Sequence, residues 1–303
     1  MKTIKTSTDI TPILMKKKIP FTIDIGNNTS IITVPSQDKK YIVSQSHISY
    51  STLGFISSVK RSNELYQPIE KVDQSKINEL KKNINYFKFG SCQEGIYKNV
   101  IELDVNKAYW NLAYKLGMIS QDVFIKGLER PKMDRLIGFG ARAAKKTRYQ
   151  YYPHSDSFVY VDTLQDLIGR YSFFKVAFEL DKVMMKVYSK VPVLFYWVDA
   201  FFLDKKHKSE VERIVEENDL SLKIKEVDEL EIYTDENRVK NIFISMKGGE
   251  KKNFKVPNKN ISANTVLNHN NIVNKFKKSK SMIKLRKRNV YKDERDKRGR
   301  LKS

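Results

Sequence analysis

A chain of 303 residues with 57 Lys and Arg against 35 Asp and Glu carries a formal charge of +22, an excess that points to a polyanionic partner, DNA or RNA first. Such a length buries a substantial core as one large domain or two small ones. The single Cys92 excludes an internal disulfide framework and Cys-based zinc sites. The apolar stretches are strand-sized, so no membrane partner or membrane-spanning segment is expected. No signal-peptide core follows Met1-Lys2-Thr3-Ile4-Lys5, and a cytoplasmic setting, in a bacterium or a phage-infected host, is expected.

Residues 1–95 read as a β-rich N-terminal region. Phe21–Ile25 and Ser30–Val34 flank Gly26-Asn27-Asn28 and predict a hairpin. A helix is predicted over Gln74–Tyr86, with Ile77, Leu80 and Ile84 on one face. No chemical motif stands out in this part.

Residues 96–258 read as the working domain. Lys98–Val105 predicts a strand and Asn106–Met118 a helix, with Tyr109, Leu112, Ala113 and Leu116 at helical spacing and Gly117 near its end. Pro131–Tyr149 reads as a second helix. Its basic end, Arg142, Lys145, Lys146 and Arg148, complements the helix dipole and offers cations to a nucleic acid. Leu164–Tyr188 predicts a long third helix. A strand around Asp199 follows, then a helix over Ser209–Asn218 opened by an N-cap Ser, then strands at Leu222–Val227 and Val239–Met246. Gly248-Gly249 is a hairpin turn into Lys251–Val256. Helices on one face of an antiparallel sheet make an α+β domain.

Residues 259–303 read as a disordered basic tail. From 274 to 303 the chain holds 14 Lys and Arg against 3 Asp and Glu, a net of +11, half the total. Lys284, Arg286, Lys287 and Arg288 form its densest run and are expected to contact nucleic acid.

Two acids sit in matching settings. Asp104 closes Val100-Ile101-Glu102-Leu103, and Asp199 lies within Val193–Leu203. An acid in an apolar strand is expensive to bury unless it is paired or binds a cation. Each also has a plainer reading. Asp104 suits the N-cap of the following helix, and Asp199 suits a hairpin turn or a buried pair with a lysine. Tyr109 fits a helix core, and Lys132 a solvated first turn.

Asp104-Val105-Asn106-Lys107-Ala108-Tyr109-Trp110, Lys132 with Phe139-Gly140, Tyr196-Trp197-Val198-Asp199 and Lys252-Asn253-Phe254 follow one another in the order of four polymerase motifs. On these residues the segment 96–258, about half of the chain, resembles the palm of family B DNA polymerases. Trp110 stands where that family has Pro, Leu136-Ile137 where it has Asn-Ser, and Trp197 where it has the first Asp of its third motif. The resemblance implies a palm-like fold, Asp104 and Asp199 as catalytic metal ligands for Mg²⁺ or Mn²⁺, and Tyr109, Lys132 and Lys252 as substrate contacts. It also implies DNA or RNA and other replication proteins as partners. Only 27 residues separate Asp104 from Lys132, too few for a fingers module, and residues 1–95 hold no typical exonuclease carboxylates. Three readings follow. One is a nucleic-acid-binding, degenerate or accessory replication protein of a phage or mobile element. The others are a compact two-metal nucleotidyltransferase and a basic structural or packaging protein.

Overall fold

The computed structural model of the protein describes residues 1–256 except 7, 27–28, 45–49, 67, 69–70, 91, 144 and 237, together with the pair 290–291. Apart from that pair, the basic tail, with Lys284, Arg286, Lys287 and Arg288, lies outside the described residues. In chain order the elements are β1 (Lys2–Thr6), α1 (Thr11–Lys16), β2 (Phe21–Ile25), β3 (Thr29–Val34), β4 (Lys39–Ser44), α2 (Tyr50–Glu64), α3 (Gln74–Lys82), β5 (Phe87–Phe89) and β6 (Gly95–Tyr97). Then come β7 (Val100–Val105), α4 (Ala108–Lys115), α5 (Gln121–Leu128), α6 (Lys132–Gly140), β8 (Lys145–Tyr152), β9 (Ser157–Gln165) and α7 (Leu167–Lys190). The last are β10 (Val193–Trp197), β11 (Ala200–Asp204), α8 (Lys208–Glu216), β12 (Leu222–Thr234), β13 (Lys240–Met246), β14 (Lys251–Lys255) and β15 (Val290–Tyr291). The mixture is α+β. Among the described residues no helix is long and apolar enough to cross a membrane.

The chain divides into two compact units. One comprises Met1–Arg61, Arg130–Arg170 and Asn271–Ser303; the other comprises Ser62–Glu129 and Tyr171–Asn270. The boundary expected between residues 95 and 96 falls inside the second.

The first unit is a seven-stranded sheet in the order β1-β4-β3-β2-β8-β9-β15. The pairs β1·β4 and β9·β15 are parallel and the others antiparallel. The β2–β3 hairpin forms where the turn residues place it. Period-two alternation sends Phe21, Ile23, Ile32 and Val34 into one core with Leu14 of α1, Val43, Tyr151 and Phe158. Phe21 stacks on Tyr151 at 5.1 Å.

The second helix expected over Pro131–Tyr149 is corrected here. α6 stops at Gly140, a single 3₁₀ turn covers Ala141–Ala143, and the chain then extends as β8. Lys145, Lys146 and Arg148 therefore lie in a strand, and Arg142 in the short turn before it. Two tertiary contacts outweigh the helical spacing of the basic residues. The Tyr151 ring is fully buried in the core, and the Arg148 guanidinium donates to both Asp24 carboxylate oxygens at 2.7 and 3.1 Å across the β2·β8 pair. The third helix accordingly begins at Leu167 rather than Leu164, behind Asp166, whose carboxylate accepts from the Gly169 N–H at 2.8 Å.

The second unit is an eight-stranded antiparallel sheet in the order β14-β13-β12-β7-β11-β10-β5, with β6 also on β12. β12 runs through Thr234, well past the expected Val227, and shifts register between Val227 and Glu229. Its first half pairs with β7 and its second with β13 and β6. Gly248 and Gly249 take φ of +106° and +84° in the expected turn between β13 and β14. The sheet curls on itself. Phe254 of β14 packs against Trp197 of β10 with ring centroids 4.9 Å apart, although four strands stand between them. On the opposite face, Tyr196 meets Asp181 and Tyr188 of α7. α8 opens at Lys208, one residue before the expected Ser cap, with His207 at the N-cap.

Gly90 ties β5 to β10 at the sheet's edge. Its N–H donates to Leu194 O at 2.8 Å, and a Cβ there would lie 1.8 Å from the Val193 carbonyl oxygen. Gly90→Ala is therefore expected to lower stability by about 3 kcal/mol in urea unfolding. Gly54→Ala, in open space within α2, should raise it by about 0.5–1 kcal/mol. Equal midpoints for the two variants would contradict this packing.

Candidate functional site

Asp104 and Asp199 are brought together by the backbone. β7 is central in the curled sheet, and Asp104 lies opposite Ala200 of β11. Asp199 is not within a strand. With Val198 it forms the two-residue turn joining Trp197 of β10 to Ala200 of β11. The Val105 N–H, next to Asp104, donates to the Asp199 carbonyl at 2.8 Å. Val198 holds φ +57°, an unfavourable region for a β-branched residue, and its N–H is fixed to Tyr86 O at 2.7 Å. The turn is thus held from both sides, as expected of strained backbone at a site.

The face of β7 that carries Asp104 also carries Glu102, two residues earlier. Glu102 is buried, and its two oxygens accept from Lys225 of β12 at 2.8 Å and Lys252 of β14 at 2.5 Å. Lys225 also stands 4.0 Å from Asp104 Oδ2. Burial alone would raise the Glu102 pKa, but the hydrogen bonds and charges of the two lysines outweigh it and hold the carboxyl below its ordinary range. Lys225 moves the other way: burial opposes its charge, yet Glu102 and Asp104 leave its ammonium above the usual lysine value. Lys252, expected to touch substrate, spends its ammonium on Glu102.

Tyr109 sits on α4 and stacks on Phe173 of α7 at 5.6 Å. The residue is partly exposed but its phenol is turned inward. Burial first, then Tyr86, Asp199 and Asp181, push its pKa well above the ordinary phenol value, so it stays neutral at any working pH. Beneath it lies a buried polar group. The Tyr196 hydroxyl is 3.1 Å from Asp181 Oδ1 and 2.8 Å from Asn85 O, and Asn85 Nδ2 donates to Asp181 Oδ2 at 3.2 Å. Burial raises the Asp181 carboxyl despite these hydrogen bonds. It raises the Tyr86 phenol too, with Asp181 adding to the effect. The buried Tyr86 hydroxyl has no hydrogen-bond partner among the described residues.

The remaining residues singled out from the sequence belong to the first unit or to the tail. Lys132 is the exposed first residue of α6. Arg142 is buried and ion-paired with Asp166, and Arg148 is ion-paired with Asp24. Lys145 opens β8, and Lys146 follows it, half-buried. Sequence reasoning missed Glu102, Lys225 and Asp181. A signal existed for the first two: Glu102 and Asp104 alternate along one strand, as do Lys223 and Lys225 along another.

No family model matches the chain, and no curated protein or solved structure matches it either.

Replacing Glu102 by Gln should leave Lys225 and Lys252 half-buried without their shared anion and cost about 3 kcal/mol at neutral pH. The Glu102 pKa is depressed in the folded chain. Its contribution is therefore present above the ordinary glutamate value of about 4.3 and is lost as pH falls through the folded value. The gap between wild type and Glu102→Gln in urea unfolding should close in that acidic range. A gap that stays constant from neutral pH to strong acid would contradict the pairing.

Proposed function

We propose that the protein binds nucleic acid, with a second unit resembling the palm of family B DNA polymerases, and serves as a degenerate or accessory replication protein of a phage or mobile element. The observation that carries the reading is the meeting of β7 with the β10–β11 turn. It brings the backbones of Asp104 and Asp199 next to one another at one end of a curled antiparallel sheet. What favours binding over catalysis is the charge already in place. Lys225 lies within ion-pair range of Asp104, and Glu102 is saturated by Lys225 and Lys252. The acids of this strand have counter-ions from the chain itself. The exposed Lys223, opposite Asp104 in the β7·β12 register, adds a cation that a phosphate backbone would meet.

A second reading is favoured by the same adjacency. Two carboxylates are the right donor class for Mg²⁺ or Mn²⁺, and Asp104 and Asp199 would be the residues to hold it. Bound there, the metal would supply activation of a 3′-hydroxyl and neutralisation of a leaving pyrophosphate. In that case Lys225 has to release Asp104. The Tyr109 phenol, too weak an acid to lose its proton, serves as a hydrogen-bond donor or packing surface rather than a base.

Nucleotide incorporation with Mg²⁺ or Mn²⁺ across a panel of primers and templates separates the two. The binding reading expects no incorporation. It also expects Asp104→Asn and Asp199→Asn to bind labelled oligonucleotide as tightly as the wild type or more so, because a carboxylate facing phosphate is removed. Incorporation by the wild type that both Asn variants abolish would overturn it in favour of nucleotidyl transfer.

A further inference from the structure

α7 has two faces. Phe173, Ala177, Leu180, Met184 and Val187 recur at helical spacing and are buried. The side turned away from them carries Lys175, Lys182, Lys186 and Lys190, at intervals of seven, four and four residues, which is one stripe along a helix. The stripe runs for about 22 Å at 1.5 Å per residue. Lys182 and Lys190 are exposed, and Lys175 and Lys186 partly so.

The acids on this surface are fewer than the cations. Glu179, within the stripe, accepts from Lys175 at 2.7 Å and Lys182 at 3.1 Å. Glu217, just after α8, is paired with Lys186 at 3.0 Å and with Arg213, and Lys190 stands near enough for its charge to bear on it. Glu216 is exposed beside Glu217. The four lysines and Arg213 thus meet Glu179, Glu216 and Glu217, which leaves an excess of positive charge. On the flank toward β5, Lys81 of α3 lies over the Phe174 ring at 5.3 Å and Lys88 of β5 over Tyr188 at 5.4 Å. The acids of that flank are Asp181, buried and bonded by Tyr196 and Asn85, and Glu79, paired with Lys76 at 3.8 Å.

One aromatic interrupts the charged side. Phe178 is half-buried between Lys175 and Lys182, whose ammonium groups lie 5.7 and 4.8 Å from its ring centroid. An aromatic ring among cations suits an unpaired base, which stacks on the ring while its phosphates meet the ammonium groups. A duplex keeps its bases stacked on one another and has no use for the ring.

We propose that the outward side of α7, with Lys175, Phe178, Lys182, Lys186 and Lys190, is a binding surface for single-stranded nucleic acid. This rests on the nucleic-acid-binding reading above and names the form of nucleic acid and the place where it lies.

The test uses the full chain, the Lys182→Gln/Lys186→Gln/Lys190→Gln triple variant, Phe178→Leu, and a charge-matched control, Lys16→Gln/Lys17→Gln/Lys126→Gln, at exposed positions of α1, its C-cap and α5. Anisotropy over a range of salt reads the binding of a fluorescent single-stranded oligonucleotide and of its duplex. Relative to the control, the triple variant should lose on the order of tenfold in single-strand affinity, and its log–log salt slope should flatten by about 2, at about 0.7 per phosphate contact. Phe178→Leu keeps every charge and should lose about fivefold for the single strand with no change for the duplex; it decides the matter should the triple variant melt below the control. Single-strand binding equal in wild type, triple variant and Phe178→Leu overturns the surface and leaves the nucleic-acid function standing. Loss of duplex binding in the triple variant, with Phe178→Leu indistinguishable from wild type on the single strand, overturns the assignment to single strands. Binding of neither probe by wild type overturns both the surface and the reading on which it rests.

Discussion

One buried carboxylate organises the second unit. Glu102 on the central strand is bonded by lysines from β12 and β14, and β14 can reach it only because the sheet curls until its arms meet over one face. The contact of Phe254 with Trp197 closes the same curl with apolar surface. Burying a charge is tolerable only when it is fully paired, so the ion cluster and the curvature require each other. Asp104 inherits this environment. It shares a face with Glu102, and Lys225 serves both.

The other half of the site is set by backbone. Val198 is held at a positive φ by Tyr86 on one side, while Asp199 is held by Val105 on the other. A turn that stores strain and is fixed at both flanks presents its acid in one place. Behind it, Asp181, Tyr196, Asn85 and Tyr109 form a polar layer whose acids and phenols burial pushes upward. At neutral pH the phenols of this layer carry no charge.

What could be read in advance depended on how local the cause was. The β2–β3 hairpin, α3, β7, α4 and the β13–β14 turn follow from alternation, helical spacing and the Gly248-Gly249 pair, all within a few residues. β8 was illegible because its basic residues also fit a helical spacing. Arg148 is committed to a strand by Asp24, 124 positions away, and Tyr151 by a core assembled from distant segments. Asp104 and Asp199 stood out as acids in apolar surroundings. Their chemistry was hidden in partners remote in sequence: Lys225 is 123 residues from Glu102 and Lys252 is 150. α5 carries only a weak apolar stripe, its eight residues burying Val123 and Gly127 and exposing Ile125 and Leu128.

Lys225, bonded to Glu102, also stands within ion-pair range of Asp104 and competes with any cation for that carboxylate. Titration of Mn²⁺ into the full chain, followed by electron paramagnetic resonance of the free ion, tests it most directly. Wild type should take up Mn²⁺ weakly in the absence of nucleic acid. Lys225→Met should bind it more tightly, and Asp104→Asn on that background should remove the gain. Tight Mn²⁺ binding by wild type, unchanged by Lys225→Met, would contradict the account.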